Sequence, residues 1–448
     1  MASVLAHRRG IYHTCLVALA AMTFPATAEG ATSDASAEVG EIDALALENN
    51  ESIHAFDARI RQAQSEAESY ERQWPEPTLE YMLDISAPWT SHFSTGHSIQ
   101  LMQAIPRGGA REAQGAPARA ASRVELSRQD AATLELLRDL RLDMVALARL
   151  AARIELLDEE RQLIEDAIGV VEQIAPLGEA DHGDFFQLEL ARETVVDELA
   201  RLRSERESRQ AAMAARMGVD TARVEQMAFP ADVLDEWLVE LPPTERLVEL
   251  ARENEPLLAT LDAEASVAAA RVDLVDERRR PMPRLMAGYS NMPPMWEMDG
   301  PRNQMLQFGI AFELPLFGSQ YDAEASQWQA AQKAIEQDRT QQTTEIRGRV
   351  EELLSGWNTD RERLRRHERE LAPLAADLAE RVLIGMELGE RSASEYLLAV
   401  QQEVELEGRM IELRAALLER LMEIQRLTGG EIGADQAWAY PMAQGETR

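Results

Sequence analysis

Charged residues gather at two places where a long helical pattern of the sequence is interrupted. The first interruption carries Asp181 and Asp184, and the second carries Glu390, Arg391 and Glu395. Carboxylates that crowd a narrow opening repel one another, which raises their pKa values, and together they attract cations. The same residues are also ordinary at a helix start, because Asp and Glu favour the first helical turn. On the residues alone, both interpretations stay open.

Methionine is the second residue type with chemistry to offer. The methionines concentrate in one stretch of the second half of the chain: Met282, Met286, Met292, Met295, Met298 and Met305. Thioether sulfur is a ligand for soft ions such as Cu(I) and Ag(I). Methionine is equally a flexible filler of apolar surfaces. We favour the filler as the interpretation of each position, and keep the stretch only as a hint of metal-ion cargo.

No pattern in the sequence indicates catalysis. The histidines outside the first 30 residues have no metal-ligand spacing, and no nucleophile elbow, phosphate loop or supported acid pair is present. We therefore expect neither an enzyme nor a bound cofactor or metal. The formal net charge of −33 argues against a nucleic-acid partner, because a polyanion requires basic patches.

The first residues have the features of a secretory signal. Arg8 and Arg9 precede an apolar stretch at 15–24, and Ala26-Thr27-Ala28 fits a cleavage site, so residues 1–28 are predicted to be removed. The sole cysteine, Cys15, lies in this segment without the small neighbours of a lipid-anchor signal. No later apolar run is long enough for a membrane helix. We expect an exported protein that is periplasmic, secreted or a β-barrel.

Short motifs recur in the same order in both halves of the chain, which indicates an internal duplication. Ile105-Pro106 matches Leu314-Pro315, and Gly178-Glu179 matches Gly389-Glu390. Each copy has the order helix, two strands, long helical hairpin. The predicted division is a flexible linker at 29–40, a first repeat at 41–228, a second linker at 229–246, a second repeat at 247–430 and a tail at 431–448.

Each repeat contains two stretches in which apolar and polar residues alternate. The predicted strands lie near 77–86, 98–106, 283–292 and 303–315. In the last of them Leu306, Phe308 and Ile310 share one face and Gln307 and Gly309 the other. Such alternation is typical of a tilted membrane-barrel strand with a wet lumen, and also of a half-buried strand in a soluble sheet. The strands alone do not separate the two.

The helices favour the membrane alternative. From Gly109 to Pro176 about 65 residues follow a helical pattern, which corresponds to roughly 100 Å. Apolar residues alternate in steps of three and four, as in a coiled coil, so a helix this long must run beside partners. Four strands cannot close a barrel, and an open edge is forbidden in lipid, so the barrel must be shared between chains. Three chains supply twelve strands.

Four motifs, taken in their order along the chain, resemble the TolC-like outer-membrane factor family. The resemblance covers nearly the whole chain after the predicted signal peptide. The motifs are Ala46-Leu47-Glu48-Asn49-Asn50, Gln103-Ala104-Ile105-Pro106, Leu314-Pro315-Leu316-Phe317-Gly318 and 389–397. The stretch Leu285–Pro294 looks like the family's heavy-metal efflux branch. The resemblance implies a mainly α protein with membrane β-strands, in which a homotrimer forms a twelve-stranded β-barrel in outer-membrane lipid and an α-helical barrel in the periplasm. It also implies a periplasmic adaptor and an inner-membrane pump as partners, and no catalysis.

The resemblance also gives the two helix interruptions a role as periplasmic tips, the first at 176–184 and the second at 385–395. It places Gly389, Arg391 and Glu395 at the channel aperture, where the arginine holds the tips closed and Asp184 is a partner for the link. It places the adaptor contact at Gly178, Glu179 and Glu390. Family members often have a second ring acid where this chain has Leu398, so strong cation selectivity is not implied.

The sequence thus predicts an outer-membrane exit duct that passively conducts cargo from a pump and adaptor. Heavy-metal or drug efflux is favoured over polypeptide secretion. The alternatives are a periplasmic adaptor, against which the duplication argues, and a structural coiled coil of the envelope, against which the four strands argue.

Overall fold

A computed structural model describes residues 31–86, 94–174, 182–227, 229–236, 238–292, 303–314 and 318–430. The predicted signal peptide and C-terminal tail lie outside these residues. Among the described residues, no helix combines the length and apolarity needed to cross a membrane.

The first half of the chain runs from two short helices through a pair of strands into a long helical hairpin. Its elements are α1 (Ala31–Asn49), α2 (Glu51–Arg72), β1 (Thr78–Ser86), β2 (Ser94–Ala104), α3 (Ala110–Ile174), α4 (His182–Met217), α5 (Thr221–Glu225) and α6 (Val233–Glu236). The predicted long helix is confirmed: α3 has 65 residues and continues through Pro117 near its start.

The second half follows the same order. Its elements are α7 (Thr244–Asn254), α8 (Pro256–Arg278), β3 (Pro283–Met292), β4 (Asn303–Phe312), α9 (Ser319–Arg366), a π-helical turn (His367–Leu371), α10 (Ala372–Glu387) and α11 (Ala393–Leu427). Here the long helix is divided by the π-helical turn. Pro373 is the second residue of α10, and a proline lacks the N–H that a continuous helix would require.

Both segments predicted as linkers contain helix. α1 begins at Ala31, and Val39, Ile42 and Ala46 are buried at helical spacing. α6 lies between the repeats, and Leu234 packs into the main core. A few apolar residues at the right spacing are enough to attach a short helix to a large core.

The four strands form one antiparallel sheet in the order β1-β2-β3-β4. The register places Leu79 opposite Leu101, Ile99 opposite Tyr289 and Tyr289 opposite Leu306. The β2–β3 pairing joins the two halves of the chain, and β1 and β4 have one unpaired edge each within it. β4 ends at Phe312 rather than near Pro315, because its partner β3 begins at Pro283.

The predicted alternation is present, and its apolar face is uncovered within one chain. Leu79 is 68 %, Leu306 72 % and Phe308 82 % exposed. The helical body is the opposite case. Leu140 and Leu147 of α3 lie in its largest core with Leu417 and Leu421 of α11. The stepped apolar pattern of the sequence therefore marks the dry seams between helices of the same chain.

In each half of the chain, a glycine in the left-handed conformation follows the last long helix. Gly218 after α4 has a φ of 70°, and Gly429 after α11 has a φ of 67°. A Cβ at Gly218 would lie 2.5 Å from the carbonyl oxygen of Asn49, and one at Gly429 would lie 2.7 Å from Cβ of Asn254. Only glycine combines this backbone conformation with such a close approach.

Candidate functional site

The second tip is a glycine-dependent turn between α10 and α11. Gly389 has a φ of 74°, a region that favours glycine. The backbone N–H groups of Glu390 and Arg391 both donate to the carbonyl oxygen of Gly385, at 2.8 and 3.1 Å. These bonds satisfy the end of α10 and fix the direction in which Arg391 leaves the turn.

Glu395 is held from two sides inside this tip. Its Oε2 accepts from the backbone N–H of Ser392 at 3.2 Å, while the Ser392 hydroxyl oxygen accepts from the Glu395 N–H at 3.2 Å. Its Oε1 accepts from Nη1 of Arg391 at 3.2 Å. The first exchange is a reciprocal helix cap. Glu395 therefore begins α11 structurally, and its carboxylate stands at the tip beside an arginine.

Asp184 connects the first hairpin to the second tip. It lies in the first turn of α4, and its Oδ2 accepts from the backbone N–H of Ala393 at 3.4 Å. Within the chain Arg391 pairs with Glu395, so the predicted link from Asp184 reaches the start of α11 and not the arginine. A backbone donor at a helix start attracts a carboxylate independently of any side chain, which the sequence pattern does not reveal.

A compact apolar cluster supports this arrangement. Leu188 of α4 is buried against Met386, Ala393 and Tyr396 of the second tip. Because these side chains belong to both hairpins, displacement of one tip would disturb the other. The tip is thus coupled to the first hairpin by packing as well as by the hydrogen bond to Asp184.

Large apolar side chains remain exposed around the tip. Phe186 and Leu190 of α4 are each 69 % exposed, and Leu388 is 67 % exposed. Leu398, where the resemblance implies an acid, is also exposed. Phe186, Leu190 and Leu388 were not among the predicted site residues. The sequence could have indicated them, because apolar residues that lie outside the buried stripe of an amphipathic helix face outward.

Three predicted site residues remain: Gly178, Glu179 and Glu390. Gly178 and Glu179 lie outside the described residues, while Glu390 is exposed in the turn. Ser392 was not among the predicted site residues. The spacing Ser392-x-x-Glu395 is nevertheless a sequence signature of the cap that Ser392 forms at the start of α11. Among the described residues, no group of three or more His, Cys, Asp and Glu could hold a metal ion.

Farther along the hairpin, Glu407 of α11 has an unusual electrostatic environment. Burial, with the neighbouring carboxylates of Glu403 and Glu159, raises the pKa of Glu407 to about 7. Arg153 of α3 extends next to Gly408, where a Cβ would overlap the Nη1 atom of the arginine. The α3–α11 seam therefore has one carboxyl group that titrates near neutrality.

Residues 247–430 match the outer membrane efflux protein family. The family resemblance found in the sequence is thereby confirmed. No curated protein matches the chain by sequence.

Over 88% of its length the chain has the fold of solved outer-membrane proteins. It is similar to the outer-membrane channel OprN, with 15% identity, coverage of 88% of this chain and 90% of that one, and a TM-score of 0.68. For the outer membrane protein VceC from Vibrio cholerae the values are 16%, 88%, 96% and 0.69. For CusC, studied for its transmembrane channel formation, they are 14%, 88%, 92% and 0.71. The predicted fold class of long helical hairpins with few strands is confirmed.

Proposed function

We propose that the protein is the outer-membrane exit duct of an efflux system and conducts cargo passively. One observation carries this proposal above the others. Among the described residues, the four-stranded sheet exposes a largely apolar face and leaves an edge of β1 and an edge of β4 unpaired. A sheet of that kind is unfavourable in water and forbidden in lipid until other strands close it.

Three copies of the chain would pair the free strand edges and let lipid cover the apolar face. Each β4 edge would pair with the β1 edge of the next copy, which gives a closed twelve-stranded barrel with its apolar face in outer-membrane lipid. The helical hairpins would then line up as an α-helical barrel across the periplasm. The predicted signal at 1–28 supplies the export that this location requires.

The tips would form the periplasmic entrance. Arg391, Glu395 and Asp184 meet at the start of α11, so an adaptor that competes for these polar groups would loosen the second tip from the first hairpin. The exposed Phe186 and Leu388 offer apolar contact to such a partner. The pump would supply the energy. Heavy-metal or drug cargo is favoured over polypeptide.

Single-channel conductance of the mature protein in a planar bilayer, with oligomeric mass measured alongside, tests the duct directly. Discrete current steps from a trimer are the expected result. A protein that stays monomeric in detergent and never enters the bilayer would overturn the proposal.

The role of the tip is tested by Arg391→Ala. Loss of the guanidinium frees the Glu395 carboxylate and weakens the tip, so passive conductance should increase severalfold. Arg381→Ala is the matched control, because Arg381 is an exposed arginine of α10 paired with Asp377 at 2.9 Å. Equal conductance of both variants and the wild type would exclude Arg391 as a closing residue.

A further inference from the structure

The two faces of the sheet differ in the kind of large apolar residue they contain. Opposed residues in register share a face, and faces alternate along each strand. The apolar face has Leu, Ile, Phe and Tyr. On the other face of the described strands, every large apolar residue is methionine: Met82, Met102, Met286, Met292 and Met305.

This separation argues against methionine as simple filler. A flexible apolar side chain would be useful on the apolar face, yet no methionine of the described strands lies there. Branched apolar and aromatic residues are favoured in strands, yet Val, Ile, Leu, Phe, Tyr and Trp are missing from the methionine face of the described strands. What methionine offers there, and Leu or Ile does not, is an unhindered thioether sulfur.

One pair of methionines is directly opposed across the two halves of the chain. Met102 of β2 is the register partner of Met286 of β3. The Gln100 side-chain amide donates to Sδ of Met286 at 3.6 Å. On the far side, a Cβ at Gly309 would lie 3.1 Å from Cε of Met286. The sulfur thus lies on the open face between an amide and a glycine that leaves it room.

A second level of sulfur lies farther along the strands. Met82, Ser98, Ser290 and Met305 follow one another across all four strands in register. This row is four residues from the Met102–Met286 row, or about 13 Å at the rise of a strand. The face therefore has thioethers at two successive depths, with Met292 a diagonal neighbour of Met305.

We infer that this face is a series of weak thioether sites for soft monovalent cations of the Cu(I) and Ag(I) class. The inference rests on the proposed function, which turns the methionine face towards the lumen. Glu80 lies on the same face, and the net charge of −33 favours cations. Weak sites at several depths suit conduction, since an ion must be able both to bind and to leave.

Silver nitrate in a potassium nitrate electrolyte is the probe, applied to the mature trimer in a planar bilayer. The only cysteine, Cys15, lies in the predicted signal peptide, so no thiol competes for silver. Micromolar Ag(I) should interrupt the wild-type current. The double variant Met102→Leu with Met286→Leu keeps volume and apolarity but removes sulfur. It should respond only at concentrations at least tenfold higher, with its current in potassium nitrate unchanged.

Met410→Leu in α11 is the matched control, because it removes a sulfur from the helical body. It should respond to silver as the wild type does. Equal silver sensitivity of the double variant and the wild type would overturn the inference while leaving the duct intact. If no channel forms, silver titration of the detergent-solubilised protein by calorimetry still decides. Binding lost in the double variant supports the thioether sites, and binding retained or absent in both excludes them.

Discussion

The helical body and the sheet differ in how much of their apolar surface is covered within one chain. In the body, Leu140 of α3 and Leu418 of α11 are 0 % exposed, because these two helices share one core within a single chain. In the sheet, Phe308 is 82 % exposed. The main core of the body is therefore closed within one chain, whereas the apolar face of the sheet would be covered only by lipid and further strands in the proposed barrel. Stability and assembly are separate properties of this molecule, located in separate regions.

The core of the helical body also contains a buried ion pair. In the body, Arg141 of α3 donates to Asp43 of α1 at 2.8 Å, and both side chains are buried. Burial raises the pKa of Asp43 despite the attraction of the guanidinium. Such a pair is costly to break, because one partner is left buried alone.

The largest effect is expected from Arg141→Met, which should lower the free energy of unfolding by about 3–5 kcal/mol. The Asp43 carboxylate would remain in an apolar site without its cation. Arg201→Met, which removes exposed ion pairs with Glu198 and Glu205, should leave the free energy of unfolding nearly unchanged. Denaturant unfolding in detergent, followed by helical circular dichroism, compares the two. Similar losses would show that the body does not depend on its buried pair.

A substitution in the sheet should act on assembly instead. Phe308→Arg places a charge on the lipid face and should disfavour bilayer insertion by about 2–4 kcal/mol, with helical circular dichroism unchanged. Gln307→Arg, one residue away on the opposite face, should insert normally. Insertion is measured in lipid vesicles. A loss of helix in Phe308→Arg would contradict the separation of the two regions.

The smallest effect concerns the α3–α11 seam and depends on pH. The pKa of Glu407 is raised from 4.5 to about 7, so the folded state retains a proton that the unfolded chain has released. Stability should fall as pH rises from about 4.5 to 7 and then level off. Glu407→Gln should therefore stabilise the body by about 1–2 kcal/mol at pH 8 and have little effect at pH 4.5.

Thermal unfolding at the two pH values tests this expectation. Glu419→Gln, an exposed position on the same helix, serves as the control and should show no difference between them. A gain for Glu407→Gln that is equal at both pH values would indicate better packing and not relief of a charged carboxylate.

Periodicity was sufficient to predict the elements but not their partners. Alternation in β4 and stepped apolar residues in α3 each predicted the right structure, because both periods are local properties of the backbone. The contact of Asp184 with Ala393 joins residues far apart in sequence, and no local pattern indicates it. The Ser392 cap was predictable in principle, since its signature spans only four residues.

The sequence by itself determined the duplicated order of elements, the long hairpins and which residues of one strand share a face. These follow from short-range rules of helix and strand geometry. Only the tertiary structure decided the register. That register places Met102 opposite Met286, and it depends on how two distant strands pair. A shift by one residue would send every side chain to the other face, so the position of the sulfur atoms is a property of the fold.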